Sequence, residues 1–252
     1  MNRQTNSALG KVPEVTLGFW VLKILATTLG ETGGDAVSMS LNLGYLLSTG
    51  IFAVIFAIAV LTQIFAKKFH PVIYWVTIIA TTTVGTTLAD FCDRSLGIGY
   101  TGGSALLLGL LLASLYAWKK TLGSVAVQSV STPKAEIFYW LTIMCSQTLG
   151  TALGDWSSDS MDLGYLGSAT IFGGLLVILA IAYWKTSISR TILFWAAFIL
   201  TRPLGAVVGD FLDKPHDHGG LALSRFTASA VLLGMMGVIM ALAPQRAAAK
   251  SH

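Results

Sequence analysis

The chain has 252 residues, of which 54% are hydrophobic and only 11% are charged, whereas soluble domains carry about a quarter charged residues. This composition excludes an ordinary soluble domain and indicates an integral membrane protein. The formal net charge of +4 does not indicate nucleic-acid binding, because most basic residues lie in short loops between apolar runs, where such charges set membrane topology.

Eight apolar segments are predicted to form helices. In chain order they cover about residues 17–38, 44–66, 72–93, 99–119, 137–158, 164–184, 191–212 and 221–243. Each is close to the ~20 residues that cross a bilayer as a helix. The polar stretch 1–15 does not have the pattern of a cleaved signal peptide, and the two cysteines, Cys92 and Cys145, are too few to imply a disulfide framework.

The eight segments form four repeats of two, each of which aligns on a tryptophan. These tryptophans are Trp20, Trp75, Trp140 and Trp195. Glycine follows ten residues later, at Gly30, Gly85, Gly150 and Gly205, and aspartate 15 residues later, at Asp35, Asp90, Asp155 and Asp210. A second glycine follows 24 residues after the tryptophan, at Gly44, Gly99, Gly164 and Gly219. Markers at fixed offsets are strong evidence of an internal repeat.

The repeats are grouped two and two. The tryptophans are spaced by 55, 65 and 55 residues, so the ten additional residues fall in the middle of the chain. We therefore predict an N-terminal half (1–120), a linker (121–135) and a C-terminal half (136–252), with four transmembrane helices in each half. An even number of spans per repeat gives every repeat the same orientation, so the halves should be parallel repeats related by an axis along the membrane normal.

Basic residues predict the orientation in the membrane. They lie between repeats, at Lys67, Lys68, Lys119, Lys120, Lys134, Lys185 and Arg190, and near the ends of the chain, at Arg3, Lys11, Arg246 and Lys250. All of these positions fall on one side of the bilayer, which the positive-inside tendency makes cytoplasmic. The hairpins that follow the motif aspartates should then face outside.

The fourfold tryptophan and glycine–aspartate pattern resembles a family of bacterial integral membrane proteins that is catalogued as a repeat of unknown function. The resemblance covers nearly the whole chain and carries no reaction and no site residues. It implies a multi-pass protein of the bacterial inner membrane.

A polar stripe follows one face of the first helix in every repeat. Offsets 7, 11, 15, 18 and 22 from the tryptophan stay on one helical face. These positions are Thr27, Glu31, Asp35, Ser38 and Asn42; Thr82, Thr86, Asp90, Asp93 and Gly97; Gln147, Thr151, Asp155, Ser158 and Asp162; and Arg202, Ala206, Asp210, Asp213 and Asp217. Offsets 10 and 14 carry only Gly or Ala, and this spacing allows helix backbones to approach closely. We therefore expect an inner ring of the four odd-numbered helices, with the even-numbered helices facing lipid.

The depth of the carboxylates favours a functional role. An aspartate 15 residues beyond an interfacial tryptophan lies ~22 Å along the helix axis, which is the outer third of a hydrocarbon core about 30 Å thick. Ionisable groups at such depth are costly and face a cavity, a partner or an ion. Glu31 stands out because the corresponding positions in the other repeats are Thr86, Thr151 and Ala206.

Each candidate also has a structural interpretation. The four aspartates could cap the next helix or pair with Arg94, Arg202 or Lys214, and Glu31 could pair with Arg202. Arg202 needs an acidic partner if it is buried; in a transporter it could also replace a bound cation. His216 and His218 could ligate a transition metal or lie in an exposed loop.

The leading hypothesis is a transporter or exporter of a small cation, most favourably a divalent metal such as Mn²⁺, because oxygen ligands suit such ions. Burial favours protonated carboxylates, which makes proton exchange a natural coupling. The predicted ion-binding residues are Glu31, Asp35, Asp90, Asp155, Asp210, Thr27, Thr82, Thr86, Gln147 and Thr151, with Glu31, Asp35 and Asp155 as metal ligands. The predicted outer mouth is Asp93, Asp159, Asp162, Asp213, Asp217, His216 and His218, and Arg94 and Arg202 are predicted to form ion pairs or to gate.

Two other classes of function remain open from the sequence. One is a membrane scaffold or sensor whose acidic outer face binds a partner, in which case the carboxylates should be paired within the fold. The other is an intramembrane enzyme, although no spacing singles out catalytic residues. We expect no prosthetic group, and we expect the lipid bilayer and a small cation as partners, not nucleic acid.

Overall fold

A computed structural model describes residues 11–248, apart from the side chain of Gln128. It contains eight long helices: α1 (Leu17–Asp35), α2 (Tyr45–Phe65), α3 (Pro71–Asp90), α4 (Gly99–Leu122), α5 (Pro133–Asp155), α6 (Gly164–Lys185), α7 (Arg190–Asp213) and α8 (Arg225–Leu242). Three of them continue into five-residue π-helical segments, Ala36–Ser40 after α1, Phe91–Ser95 after α3 and Trp156–Ser160 after α5. The all-helical fold with two helices per repeat is confirmed.

Two helix starts differ from the prediction, each for a local reason. Helix α5 begins at Pro133, about four residues early, because Thr132 caps it by accepting from the Ala135 N–H at 3.3 Å and proline suits the first helical position. Helix α8 begins only at Arg225, because the chain before it pairs with the end of α7: the Leu221 N–H donates to the Phe211 carbonyl at 2.7 Å.

Six of the eight helices are long and apolar enough to cross a membrane by length and composition: α2, α3 with its π-helical extension, α4, α6, α7 and α8. The other two, α1 and α5, run in the same bundle, where protein covers most of their polar side chains. The whole set of helices is therefore compatible with a multi-pass membrane protein.

The odd-numbered helices form a closed inner ring. Helix α1 packs against α3 and α7, and α5 packs against the same two helices from the opposite corner. Each outer helix packs on the inner helix of the next repeat: α2 on α3, α4 on α5, α6 on α7, and α8 back on α1. The exposed side chains of the outer helices are largely apolar, such as Leu46 and Ile58 on α2 and Val177 and Ile178 on α6. The predicted inner ring of odd-numbered helices is confirmed, and the apolar outer surface is compatible with contact to lipid.

Glycines determine how closely the inner helices approach. In each repeat, the glycine ten residues after the marker tryptophan lies against the residue seven positions after the tryptophan of the next repeat. The fourth repeat faces the first in the same way. A Cβ added to the glycine would lie 2.3 Å from Thr82 at Gly30, 3.0 Å from Gln147 at Gly85, 2.3 Å from Arg202 at Gly150 and 2.2 Å from Thr27 at Gly205. The predicted close packing at small residues is therefore confirmed, and the side chains packed there belong to the polar stripe.

Substitution of Gly205 by alanine is expected to destabilise the bundle by about 1–3 kcal/mol, as overpacking of a tight core does. The new Cβ would lie 2.9 Å from the backbone carbon of Thr27, so a helix must move and not only a side chain. Thermal unfolding in detergent measures the loss. Gly173→Ala on α6 is the matched control, because no atom lies within 4 Å of its added Cβ. An equal effect of both substitutions would contradict the packing argument.

The two ends of the described chain meet on one side of the bundle, called here the termini side. Pro13 and Ala247 form an antiparallel bridge, and the Glu14 N–H donates to the Arg246 carbonyl at 2.8 Å. The Lys11 N–H donates to the Val130 carbonyl of the linker at 3.1 Å. The other side, where the π-helical segments lie, is the hairpin side. The predicted terminal charges Arg3 and Lys250 lie outside the described residues.

Aromatic side chains fill the termini-side end of the ring. Tyr74 and Tyr139 share a hydrogen bond of 2.7 Å between their hydroxyls, and the Phe19 ring packs at tilted angles against the rings of Trp75 and Phe194 in the same buried cluster. The tryptophans that mark three of the repeats belong to this buried end of the ring: Trp75, Trp140 and Trp195 are 1–5% exposed. They pack within the protein because the inner helices face one another and the outer helices cover them.

Candidate functional site

The four motif aspartates form an acidic layer near the hairpin-side end of the ring. Three of them, Asp35, Asp90 and Asp155, are the last residue of an α-helix before its π-helical segment, a kind of irregularity found often at functional sites. Asp210 lies inside α7. The exposed fractions of all four residues are only 1–3%, so the protein itself covers them.

Two basic side chains bridge the aspartates in pairs. Arg94 contacts its own repeat's Asp90 (Nε to Oδ1, 3.1 Å) and Asp155 of the next repeat (Nη2 to Oδ2, 3.3 Å). Lys214 contacts Asp210 in the same way (Nζ to Oδ1, 3.1 Å) and forms a close ion pair with Asp35.

Arg94 and Lys214 occupy equivalent positions 120 residues apart, so the bridges repeat the symmetry of the two halves. Their side chains are 32% and 13% exposed, whereas the carboxylates beneath them are 1–4% exposed. The two cations therefore cover the acidic layer from the hairpin side.

Arg202 connects the side chains that lie directly beneath the four aspartates, on the side of the ring towards the termini. Its Nη2 donates to the Glu31 carboxylate at 2.9 Å and to the hydroxyls of Thr86 at 2.6 Å and Thr151 at 2.5 Å. It therefore joins α7 to each of the other three inner helices. The absence of a side chain at Gly150 makes room for it, since an added Cβ would meet the Arg202 Cγ at 2.3 Å. Arg202 is fully buried, and Glu31 is the acidic partner that such burial requires.

Three carboxylates converge at the α1–α7 interface. Glu31, Asp35 and Asp210 each offer an oxygen within 4.8 Å of the others, and all three residues are buried. The second oxygen of Asp35, Oδ1, has no hydrogen-bond partner. The Lys214 ammonium lies on two of the three carboxylates, Asp35 and Asp210. A trio of carboxylate oxygens is a ligand set that hard divalent cations prefer.

The structure places Asp210, and not the predicted Asp155, with Glu31 and Asp35. The reason is the order of helices in the ring: α1 neighbours α3 and α7, and α5 lies diagonally across from it. Asp155 is held instead by Arg94. No feature of the repeat pattern specifies this neighbour order.

The remaining predicted ligands line the ring below Glu31. Thr27 donates its hydroxyl to the Thr201 carbonyl at 3.2 Å. The Thr82 hydroxyl, both polar atoms of the Gln147 side chain, and the Nε and Nη1 of Arg202 are buried without partners. Buried polar groups are nearly always hydrogen bonded, so these atoms are available to bind water or an ion inside the ring.

Lys23 is a buried ion that sequence reasoning missed. It lies three residues after Trp20 on α1 and is fully buried. Its ammonium lies 4.2 Å from the centre of the Phe198 ring and 3.4 Å from the Thr201 hydroxyl. Within residues 11–248 no carboxylate lies within ion-pair distance of it. The signal was available, since Lys23 interrupts an apolar stretch where a lysine is costly.

The predicted outer mouth divides into three kinds of residue. Asp213 is buried and accepts from the Arg225 Nε at 3.1 Å. Its counterpart Asp93 is also buried, but neither carboxylate oxygen has a partner, because the position equivalent to Arg225 is Ala105. Asp159 is exposed and accepts from the Tyr100 hydroxyl at 3.2 Å.

The last stripe position belongs to a turn and not to the helical face. Asn42, Gly97 and Asp162 adopt left-handed backbone conformations with φ of 56°, 68° and 54°. Asn, Asp and Gly tolerate this region best, so their polarity at offset 22 has a structural cause. Asp162 is exposed.

The histidine loop lies apart from the acidic layer. His216, Asp217 and His218 form one turn of 3-10 helix and are exposed, and the His216 Nδ1 contacts the Gly220 carbonyl at 2.9 Å. Among residues 11–248, the cluster with metal-ligand spacing is Glu31, Asp35 and Asp210, and it contains neither histidine.

Comparison with known proteins gives one match. A family described as Repeat of Unknown Function (DUF347) matches residues 18–69, 73–123, 138–189 and 193–244, one repeat at a time. No curated protein and no solved structure matches the chain. The four matched ranges coincide with the four helix pairs of the ring.

Proposed function

The chain belongs to the DUF347 repeat family, a membership that assigns no activity, and we propose from the site itself that the protein transports a small cation, most favourably a divalent metal such as Mn²⁺. The observation that carries the proposal is the trio of buried carboxylates, Glu31, Asp35 and Asp210, whose oxygens lie within 4.8 Å of one another. Carboxylates gathered at membrane depth are costly unless they serve an ion pathway or a partner.

The charge balance of the ring supports cation binding. The buried layers contain five carboxylates, those of Glu31, Asp35, Asp90, Asp155 and Asp210, against four basic side chains, those of Lys23, Arg94, Arg202 and Lys214. These groups carry an excess of one negative charge when all are ionised. A divalent cation that displaces the Lys214 ammonium from Asp35 and Asp210 would be bound by three carboxylates, the third being that of Glu31.

In the proposed mechanism Lys214 serves as the resident cation of the empty site. Its side chain lies on the hairpin side of Asp35 and Asp210, and a lysine side chain is long and flexible enough to swing away. An incoming metal takes its place, with Glu31 as the third carboxylate and the nearby Thr86 hydroxyl, which donates to Glu31 at 3.3 Å, as a neutral neighbour. A carboxylate that releases its metal can take a proton, which couples transport to protons.

The route across the ring runs along the polar stripe. Below the carboxylates it passes Thr82 and Gln147, whose unpartnered oxygens can contact water or a cation, and Arg202, whose unpartnered N–H groups can donate to water. It ends at the aromatic cluster that contains Tyr74 and Tyr139. Because this end is closed by buried side chains, the geometry supports a carrier that alternates between states rather than an open channel. We propose that the termini side is cytoplasmic, in a bacterial inner membrane, as the basic loops indicate.

A second candidate function is a non-transporting scaffold or sensor. The observation in its favour is that Arg94 and Lys214 pair all four motif aspartates within the fold. In that case the ion pairs stabilise the ring and no metal displaces Lys214. The two functions differ in whether added metal binds the trio.

A metal survey on the purified protein tests the proposal. Mn²⁺, Zn²⁺, Co²⁺, Ni²⁺, Mg²⁺ and Ca²⁺ are added separately, and thermal unfolding is followed in detergent. At least one ion is expected to stabilise the wild type, by about 2.7 kcal/mol when its concentration is 100 times the dissociation constant. Glu31→Gln should abolish the stabilisation, while Asp159→Asn, which changes an exposed carboxylate outside the trio, should retain it. If added metal changes the thermal stability of Glu31→Gln and of the wild type by the same amount, the trio does not bind the metal, and the scaffold is favoured.

A further inference from the structure

An apolar groove opens on the outside of the bundle at the termini side, between α6, α7 and the start of α1. Its volume is about 430 Å³. Its lining includes Ile24 on α1, Leu176 and Ala180 on α6, and Phe194 and Ala197 on α7. The groove is separate from the acidic layer, which lies at the opposite end of the inner helices.

A single arginine stands at the end of this groove. Arg190 is the first residue of α7 and lines the groove together with Tyr183 and Trp184. Its guanidinium carbon lies 4.3 Å from the centre of the Tyr183 ring, and its Nη1 donates to the Tyr183 carbonyl. Stacking and hydrogen bonding hold the planar guanidinium in place, which prepares it for a bidentate contact with an oxyanion.

The dipole of α7 does not explain an arginine at its first position. A cation at the first residue of a helix opposes the helix dipole, because the N-terminal end carries the positive pole. An anion bound at the same place would be favoured by both the dipole and the arginine. Arg190 stabilises the end of α6 through the Tyr183 carbonyl, and the other N–H groups of its guanidinium can hold a negatively charged ligand.

At the equivalent place in the other half, the N-terminal segment of the chain contacts the end of α2. The counterparts of Tyr183 and Trp184, 120 residues earlier, are Gln63 and Ile64. There Gln63 is buried and donates to the Lys11 carbonyl at 3.0 Å, and Lys11 contacts the Ile64 carbonyl at 2.8 Å and Glu136 at 2.7 Å. The N-terminal segment thus bridges α2 and α5.

In the second half the corresponding side chains face outward. Tyr183 is 40% and Trp184 75% exposed. The position equivalent to Glu136 is Thr16, which lines the groove, and the position equivalent to Arg190 in the first half is His70. The two halves therefore share a fold but differ here: the N-terminal segment contacts this place in the first half, and a groove with an arginine lies at it in the second.

We propose that the groove binds an acyl chain of a phospholipid whose anionic headgroup phosphate is held by Arg190. The apolar walls match a hydrocarbon chain, and the groove lies on the lipid-facing surface of a membrane bundle, where lipid is the abundant apolar ligand. Tyr183 and Trp184 have the amphipathic rings that favour the headgroup level. Basic pockets between helices at this level recognise anionic lipids. This inference does not depend on cation transport.

Native mass spectrometry of the detergent-purified protein tests the proposal. Dioleoyl phosphatidylglycerol and dioleoyl phosphatidylcholine are titrated separately, so that only the headgroup differs. The wild type is expected to retain one phosphatidylglycerol molecule at least about fivefold more tightly than phosphatidylcholine, as one favourable basic contact provides. Arg190→Gln should remove this preference. Lys185→Gln removes an equal charge from an exposed position near the end of α6 that does not line the groove, and it should keep the preference.

Two further variants test the groove itself. Ala197→Phe and Ala180→Phe fill it from opposite walls, so the test survives if one of them fails to fold. Either folded variant is expected to lose the bound phosphatidylglycerol. Retention of the lipid by the filled variants, or an unchanged preference in Arg190→Gln, would overturn the proposal. A wild-type dimer that the filled variants dissociate would show that a second copy of the chain occupies the groove and would overturn it as well.

Discussion

Replacement of Arg202 by methionine is expected to destabilise the protein by about 3–5 kcal/mol, the cost of breaking a buried ion pair by removing one partner. Arg202 is fully buried, and its Nη2 contacts Glu31, Thr86 and Thr151 on the three other inner helices. Methionine keeps much of the apolar volume packed against Gly150 but leaves the Glu31 carboxylate without its cation. Thermal or denaturant unfolding in detergent measures the loss.

A double-mutant cycle with Glu31→Gln provides the control. If the cost comes from the unpaired carboxylate, the double variant should be more stable than Arg202→Met alone, because glutamine leaves no buried charge behind. Additive effects of the two substitutions would show that Arg202 acts through packing or through the threonines. A loss below about 0.5 kcal/mol, the size of an ordinary surface substitution, would contradict its role as the central tie of the ring.

Replacement of Lys214 by methionine is expected to have opposite effects in the absence and the presence of a divalent metal. Without metal, Asp35 and Asp210 lose the ammonium that lies between them, and the protein should lose several kcal/mol of stability. With metal, the competitor is gone and the three carboxylates are available, so the affinity for the ion should rise above that of the wild type. Thermal unfolding with and without Mn²⁺ separates the two effects.

Arg94→Met is the matched control because Arg94 occupies the equivalent position and bridges Asp90 and Asp155 in the same way. Beneath Asp90 and Asp155, the positions equivalent to Glu31 on α3 and α5 carry Thr86 and Thr151, so no third carboxylate is present there. The variant should therefore be destabilised without metal and should gain little from it. If metal restores the stability of both variants equally, any two aspartates that lack a basic partner bind the ion. The proposal that Glu31 is needed for metal binding would then be contradicted.

The repeat pattern predicted the architecture well because each marker has a steric or energetic cause. The glycine ten residues after each tryptophan lies where a stripe residue of the neighbouring helix packs against the backbone, so its position in the sequence identifies the inner helices. The motif aspartates, which follow the tryptophans at one fixed distance, are buried in one layer.

The pairing within the site could not be predicted, because it depends on which helices are neighbours. The equal offsets show that Asp155 and Asp210 lie at the same height along their helices. They do not show that α7 is a neighbour of α1, whereas α5 lies diagonally across the ring from α1. Asp155 was therefore expected beside Glu31, and Asp210 lies there instead. The burial of the tryptophans could not be predicted for a related reason: aromatic residues near a helix end fit either an exposed surface or a buried cluster, and only the packing of the ring decides between them.

The two halves differ most at the α1–α7 interface. Positions that carry uncharged residues in the other repeats (Ile, Phe, Thr, Ala or Gln) carry Lys23 and Glu31 on α1 and Arg202 on α7. Arg94 and Lys214 preserve the symmetry above them. A structural frame needs only the residues that all repeats share, so the charged groups present at a single interface are the ones that a specific function would require.

Metal flux into proteoliposomes tests the central claim most directly. Purified wild type, Glu31→Gln and Asp155→Asn are reconstituted at equal density, and uptake of Mn²⁺ is followed with a trapped indicator, with and without a pH gradient. The wild type should carry the ion above protein-free liposomes, Glu31→Gln should reduce the flux at least tenfold, and Asp155→Asn should reduce it less, because Asp155 lies outside the carboxylate trio. No flux by the wild type with any divalent ion that stabilises it, or unchanged flux in both variants, would contradict the account.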